Sequence, residues 1–299
     1  MSDYVSILLE GCDGSSWDLI SGEQGALLGV KPTGFYDMPM KTYWVPYAFG
    51  QQYQSKQAQR RDMVFTVQIG TDTNDPDEWH QIESRWRMAW DYLNESTLVV
   101  TTSDGKRTLG VRLLEEPKAA QTAQWEGYDP HCYAQSTYVM TVAAEIPYYI
   151  GDLTTTDMTF PAGAGSTQVI DVYNPTDSEM WLEWVLSAPG TWTLPDFSWG
   201  QNIYGRAAQD AERTWTLPDL QAGENVSVTS RPDVEPIVSQ SGSLVQARTN
   251  GQCLMYPVAP HTGGAVPVSW QPDSGDTTSV GYAQLIQQQW HSRPWGSVR

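Results

Sequence analysis

Helical spacing of apolar residues is confined to one segment of this 299-residue chain. The segment starts at Asn74-Asp75-Pro76, which supplies a capping residue and a proline in the first helical turn. Apolar residues then recur every three or four positions, at Trp79, Ile82, Trp86, Ala89, Trp90 and Leu93. The spacing predicts an amphipathic helix over about 76–94. A helix with three tryptophans on its buried face must lie on a sheet, and such a stripe is far more often core than a ligand cage.

The rest of the first 150 residues reads as strands and turns. Strands are predicted at 5–9, 17–20, 43–48, 63–69, 96–102, 107–114 and 138–146. Asp104-Gly105 between two of them is a strong hairpin signal. Gln51–Gln59 is polar and has no apolar face, so we interpret it as an exposed loop or arm. This half is therefore predicted to be a β-rich domain, residues 1–150, with one helix.

The second half contains no long helical pattern. A Thr-, Asp-, Gly- and Ala-rich segment at 151–165 is predicted to be the linker between domains. Short strands then follow at 167–173, 180–186, 191–195, 214–218, 225–229, 244–248, 254–256 and 266–270. Short strands separated by turn residues are typical of a β-sandwich, predicted here over 166–299. The fold class is therefore mainly β.

Composition limits the classes of function. The net charge is −18, from 35 acidic and 17 basic residues, which disfavours binding to phosphate backbones. Fourteen Trp and 15 Tyr against five Phe fit half-buried strand positions or protein–protein interfaces. The first residues do not resemble a signal peptide, and no apolar run is long enough for a membrane helix, so we expect synthesis in a cytoplasm and no membrane insertion.

The residues of chemical interest do not form a known catalytic or metal-binding pattern. The three cysteines, Cys12, Cys132 and Cys253, are far apart and are expected to be buried free thiols. The four histidines, His80, His131, His261 and His291, lack a nucleophile pattern beside them. Asp72, Asp75 and Asp77 lack the glycine and terminal glutamate of a calcium loop, and Asp75 is better explained as a helix cap.

Adjacent carboxylates at Glu115-Glu116 could suggest a glycosidase, but with 35 acidic residues such a pair is expected by chance. The sequence thus predicts no catalytic residue, no cofactor-binding residue, no metal ligand and no cofactor. We predict that the protein is not an enzyme.

Two passages resemble a known family. The first is Gly105-Lys106-Arg107-Thr108-Leu109 to Leu114 after the helix, followed by a strand ending in Ile146-Pro147-Tyr148-Tyr149. The second is Val172-Tyr173-Asn174-Pro175-Thr176-Asp177-Ser178, with Arg293-Pro294-Trp295 later. In this order, over nearly the whole chain, they resemble the distal tail proteins of long, non-contractile-tailed bacteriophages, called minor tail proteins in phages of actinobacterial hosts.

The resemblance implies a ring-forming first domain and a galectin-like β-sandwich as the second. It implies a homo-hexameric ring at the virion tail tip that joins the tail tube to the host-binding tip or baseplate. Its partners would be the tail-tube protein, tail hub or tip proteins and the tape-measure protein. Six copies at −18 each would carry about −108, and a negative lumen would let DNA pass without binding.

Two alternatives remain open at this stage. One is a carbohydrate- or receptor-binding module of the tail tip that uses exposed tryptophans, although no galectin-type cluster of His, Asn, Arg and Trp can be identified. The other is a tail-associated hydrolase.

Overall fold

The computed structural model describes residues 5–29, 32–119 and 133–296. The protein is mainly β, as predicted, and its strand pairs are antiparallel. The chain divides into two compact units. The first comprises Met1–Gly151 and His291–Ser297, and the second comprises Asp152–Trp290 and Val298–Arg299. Residues 291–297 thus group with the first unit, whereas the sequence prediction assigned them to the second domain.

The described part of the first unit contains eleven strands, one of them shared with the second unit, and the helix α1. These are β1 (Ser6–Glu10), β2 (Ser16–Asp18), β3 (Ala26–Leu28), β4 (Met40–Tyr47), β5 (Gly50–Ala58), β6 (Arg61–Gly70), α1 (Pro76–Met88), β7 (Ser96–Thr102), β8 (Gly105–Leu113), β9 (Lys118–Ala119), β10 (Gln135–Ala144) and β11 (Tyr149–Phe160). The chain leaves the first unit within β11.

The main sheet of the first unit has the order β2-β1-β7-β8-β10-β6-β3. The pairing of β6 with β10 is its longest, from Arg61 opposite Ala144 to Gly70 opposite Gln135. Side chains of β6 alternate between buried and exposed positions, because successive residues of a strand point to opposite faces. The predicted strand at 63–69 and the predicted hairpin at Asp104-Gly105 are both confirmed.

Helix α1 begins as predicted but ends earlier. The Asp75 carboxylate accepts a hydrogen bond from the Asp77 amide (2.9 Å), and Trp79, Ile82 and Trp86 are buried. The helix ends at Met88, not near residue 94. The carboxylate of Asp91 accepts hydrogen bonds from the Tyr92 amide (2.7 Å) and the Asn94 amide (3.3 Å). Such side-chain bonds compete with helical hydrogen bonds, so the chain turns away there.

The helix packs on the sheet, as its tryptophan stripe required. Trp79 donates from its indole nitrogen to the hydroxyl of Ser136 on β10 (3.2 Å). Trp86 makes edge-on contacts with Trp17 (5.3 Å between ring centroids) and Trp90 (5.6 Å). Trp90 and Ala89 remain buried beyond the end of the helix, while Leu93 is exposed.

The second unit contains the rest of β11 and eight further strands. These are β12 (Ser166–Asn174), β13 (Leu182–Leu186), β14 (Thr191–Pro195), β15 (Thr214–Thr216), β16 (Val226–Thr229), β17 (Ile237–Ser239), β18 (Thr262–Gln271) and β19 (Gly281–His291). One sheet has the order β17-β16-β13-β19-β11 and the other β12-β18-β14-β15. Trp184 of the first sheet and Trp192 and Trp270 of the second lie in one buried cluster, which is the arrangement of a β-sandwich.

Several sequence predictions differ from the structure. The segment predicted as a linker at 151–165 lies mostly within β11. Residues 245–248 form a 3₁₀ turn and 254–256 form no strand, so the two strands predicted there are wrong. Residues 254–256 do not form a strand because the Asp196 carboxylate accepts hydrogen bonds from the backbone amides of Met255 and Tyr256 (2.9 Å each). Those two N–H groups are therefore unavailable to a sheet.

Candidate assembly surface

The most exposed element of the first unit is a hairpin that we call the arm, residues 40–58. It consists of β4 and β5, which pair with each other in a separate two-stranded sheet, from Met40 opposite Ala58 to Tyr47 opposite Gly50. Gly50 follows the turn with φ = 122°, a conformation that favours glycine. The sequence suggested an exposed loop or arm at 51–59; the arm is a strand there.

The arm exposes several large apolar side chains to solvent. Every residue of β4 is exposed, although this strand has the aromatic and β-branched composition of a buried one. The exposed fractions are 98% for Phe49, 65% for Tyr47 and 52% for Trp44. An isolated two-stranded hairpin is only marginally stable in water, and contiguous exposed apolar surface marks interaction sites.

Contacts within the arm hold three of its aromatic rings, those of Tyr43, Trp44 and Tyr53, in place. Trp44 and Tyr53 lie edge to face across the hairpin, with centroids 5.4 Å apart. The Tyr43 hydroxyl donates to the side-chain oxygen of Gln57 (2.9 Å), and the Lys41 ammonium lies 5.1 Å from the Tyr43 ring centroid. The rings of Tyr43, Trp44 and Tyr53 are therefore ordered by contacts within the hairpin itself. Side chains that are already ordered lose less entropy on binding.

The arm differs in charge from the chain as a whole. Residues 40–58 include two lysines, Lys41 and Lys56, and no aspartate or glutamate, whereas the net charge of the chain is −18. A positive aromatic arm is electrostatically complementary to an acidic surface, including that of another copy of the same chain.

A buried arginine fixes the root of the arm. Arg61 lies three residues after the end of the arm and is fully buried. Its guanidinium donates to the carbonyl oxygens of Gly34 (3.1 Å) and Phe35 (3.2 Å), which precede the arm, and to that of Pro147 (2.8 Å). Burial lowers the pKa of Arg61 from its ordinary value, and the Tyr149 ring lies 4.9 Å from its guanidinium carbon. The two ends of the arm are thus tied to one rigid point.

Arg61 also holds a segment that we call the strap, residues 292–296. Arg61 donates to the carbonyl of Ser292, and Arg107, also buried, donates to the carbonyl of Arg293, each at 2.8 Å. Trp295 then lies edge to face against Tyr36, with centroids 5.1 Å apart. The residues Arg293-Pro294-Trp295, which supported the family resemblance, therefore complete the first unit beside the root of the arm.

A second buried polar cluster lies in the second unit. The carboxylate of Asp196 pairs with Arg213 (3.2 Å), and Tyr256 donates to Asp210 (2.8 Å). Burial is the main reason that the pKa of Asp196 is raised. Asp196 already accepts two backbone amides, so we assign the cluster a structural role in fixing the chain around 196–213.

Comparison with known proteins gives a clear family relationship. No family model matches the sequence. The chain is 31% identical over 302 aligned positions to minor tail protein Gp27 of Mycobacterium phage D29, with 85% of this chain and 88% of the relative covered. It is 30% identical to minor tail protein Gp27 of Mycobacterium phage L5 with the same coverage.

The chain belongs to the phage minor tail proteins. This confirms the family predicted from the order of short motifs and the predicted role as a structural subunit of a phage tail. The mycobacterial hosts of these relatives fit the predicted actinobacterial host. The fold resembles that of SPP1 Dit (gp 19.1), described as a paradigm of the hub adsorption apparatus in phages infecting Gram-positive hosts. The TM-score is 0.60 at 9% identity, over 96% of this chain and 99% of that one.

The residues considered for chemistry are dispersed in this minor tail protein. His80 and His261 are exposed, His291 is buried, and Glu115 is exposed and paired with Lys118 (2.5 Å). Within the described ranges, no three or more His, Cys, Asp and Glu side chains are grouped so that they could hold a metal ion. No helix among the described residues is long and apolar enough to cross a membrane.

The cysteine prediction is corrected in part. Cys12 and Cys253 are free thiols but are half-buried instead of buried. Cys12 lies at a turn where its thiol contacts the Met88 carbonyl (3.6 Å). Cys132 and His131 lie outside the described residues.

Sequence reasoning found the arm's exposure but missed its aromatic surface. The signal was available in the sequence. β4 has aromatic and β-branched residues on both faces, and the strand that pairs with it is polar apart from Tyr53 and its two end residues. Arg61 and Arg107 carried no such signal, because nothing local distinguishes a buried arginine from an exposed one.

Proposed function

We propose that this protein is a ring-forming subunit of the phage tail tip, and that the arm packs on a neighbouring copy in the ring. The observation that supports this most directly is the ordered, exposed aromatic arm with its rigidly anchored root. Aromatic residues are enriched at the centre of protein–protein interfaces.

A second copy of the same chain is the preferred occupant on grounds of charge. The arm has two lysines and no carboxylate, and each copy otherwise supplies an excess of acidic residues. When one surface of a subunit binds a different surface of an identical neighbour, repeating the rotation between neighbours produces a closed ring if the last copy meets the first. The family resemblance supports six copies.

The test of the ring is the mass of the purified full chain in solution. We expect light scattering and negative-stain images to show closed rings of six. The double variant Tyr47→Ala/Phe49→Ala should yield monomers with an unchanged circular-dichroism spectrum. Leu244→Ala is the matched control, since Leu244 is 81% exposed but lies outside the arm; this variant should still form rings.

Rings of unaltered size from the double variant would exclude the arm as the ring contact. A wild-type chain that stays monomeric over a wide concentration range would exclude the ring itself. Neither outcome would alter the family relationship.

We further propose that the ring lies between the tail tube and the hub or baseplate proteins, with the tape-measure protein as a further contact. The protein would be made in the host cytoplasm and would act without catalysis, its first unit forming the ring and its second a galectin-like sandwich. Cryo-electron microscopy of virions should place the ring at the end of the tail tube.

The acidic composition supports passage of DNA through such a ring. A lumen lined by carboxylates would repel the phosphate backbone and prevent sticking. A cryo-EM map in which the lumen-facing side chains are mainly neutral or basic would contradict this part of the proposal.

A further inference from the structure

The second unit contains a concave site on the outer face of one sheet. Its volume is about 450 Å³, within the range of small-molecule sites in proteins. It is formed by β11, β19 and the end of β13, together with the residue before β16 and the residue after β17. The lining residues are Asp157, Met158, Thr159, Val185, Leu186, Ser187, Asn225, Gln240, Tyr282, Ala283 and Gln284.

The outer face of the sheet gives the site its polar groups. In β19, Ala283 and Leu285 are buried in the sandwich core, so Tyr282 and Gln284 point the other way. In β11, Met158 is buried for the same reason, and Asp157 and Thr159 are exposed. Neighbouring strands thus present an aromatic ring, a carboxamide, a carboxylate and a hydroxyl on one surface.

Hydrogen bonds within the site fix its geometry. Gln284 donates from its side-chain nitrogen to the Asp157 carboxylate (2.8 Å), and Asn225 accepts the Ala188 amide (2.9 Å). The Tyr282 backbone amide donates to the Ser187 hydroxyl (2.8 Å). These bonds leave the side-chain amide oxygen of Gln284 and the hydroxyl of Tyr282 without a hydrogen-bond partner among the described residues, so both can bind a ligand.

The chemistry of the lining selects a class of ligand. None of the eleven lining residues is Lys, Arg or His, and one is a carboxylate, so phosphates and other anions are disfavoured. Amides, hydroxyls and a carboxylate are donors and acceptors suited to a ligand with many hydroxyl groups. Tyr282 is 56% exposed, so its ring is accessible to the apolar C–H groups of a sugar.

We propose that this site binds a neutral pyranose saccharide. The proposal does not depend on the ring or on the arm, since all its residues belong to the second unit. It gives this minor tail protein a second activity, recognition of a neutral glycan.

The test is saturation-transfer NMR on the full chain with D-glucose, D-galactose and D-mannose at millimolar concentration. We expect transfer to at least one of these sugars and clearly weaker transfer to D-glucuronate, because the site has a carboxylate and no cation. Tyr282→Ala should lower the affinity about tenfold, and Gln284→Ala should also weaken it.

Tyr173→Ala is the matched control, because Tyr173 is 54% exposed on β12 and does not line the site; its affinity should equal that of the wild type. Circular dichroism verifies that each variant is folded. Absence of transfer to all three sugars, equal binding by Tyr282→Ala, or glucuronate binding as strong as that of glucose would each overturn the proposal. Ring formation is measured separately, so its failure would leave this result unaffected.

Discussion

The arm and the interior of the first unit use the same residue types in opposite surroundings. Trp86 is buried between Trp17 and Trp90, whereas Trp44 on the arm is half exposed. The cations differ in the same way: Arg61 is fully buried among carbonyl oxygens, while Lys41 on the arm is exposed. The difference teaches that residue type alone does not distinguish a side chain that stabilises this fold from one that is available to a partner.

The largest expected effect is on the buried side of this comparison. Trp86→Ala removes a ring from the core and leaves a cavity, so we expect the free energy of unfolding to fall by about 3–5 kcal/mol. Chemical denaturation monitored by circular dichroism measures it. A loss below about 1 kcal/mol would show that the helix is less firmly packed than its contacts indicate.

A buried cation should matter nearly as much as a buried ring. Arg61→Met leaves carbonyl oxygens near residues 34–36, 147 and 292 without their donor, and we expect a loss of about 3 kcal/mol. Limited proteolysis should then cut near the strap. Arg61→Lys is the control: it keeps the charge but cannot reach all the carbonyls, so it should recover only part of the stability.

The corresponding substitution on the arm should hardly change the stability of the dissociated chain. Trp44→Ala is expected to change the free energy of unfolding of the dissociated chain by no more than about 0.5 kcal/mol, because Trp44 contacts little besides Tyr53 and Thr42. Denaturation at low protein concentration measures this quantity. A loss as large as that of Trp86→Ala would remove the contrast between the two regions.

The smallest expected effect is on the pH dependence of stability. The arm has no carboxylate, so its stability should not change with pH in the acid range. Asp18 accepts backbone hydrogen bonds from Ser21 (3.0 Å) and Ile20 (2.9 Å), and these bonds lower its pKa below the ordinary value of 3.8. A group with a lowered pKa stabilises the fold above that ordinary value and loses its contribution as pH falls through the folded-state pKa.

Asp18→Asn should therefore reduce stability slightly at neutral pH and flatten the decline of stability below about pH 4. Thermal unfolding from pH 7 down to pH 3 is the measurement. An unchanged decline in the variant would show that Asp18 does not contribute to acid unfolding.

The sequence predicted those features whose signals are local. Asp75 and Pro76 marked the start of α1, and Asp104-Gly105 marked a hairpin whose glycine has φ = 115°. The early end of α1 was missed because Ala89 and Trp90 keep the apolar spacing after the helix has ended. The Asp91 turn that ends it resembles an ordinary helical surface position in the sequence.

Features that depend on distant partners could not be predicted. The strand β19 contains a run of glutamines, so its alternation of buried and exposed residues is weak. Asp196 accepts hydrogen bonds from the amides of Met255 and Tyr256, which lie about sixty residues later in the sequence. No local sequence pattern indicates such a contact. The pocket around Tyr282 likewise combines residues from five separate stretches of chain.

The strap imposes an order on biosynthesis. Residues 292–296 are translated only after residues 152–290 of the second unit, yet Arg61 and Arg107 donate hydrogen bonds to the Ser292 and Arg293 carbonyls. The nascent first unit therefore remains incomplete at the root of the arm throughout translation of the second.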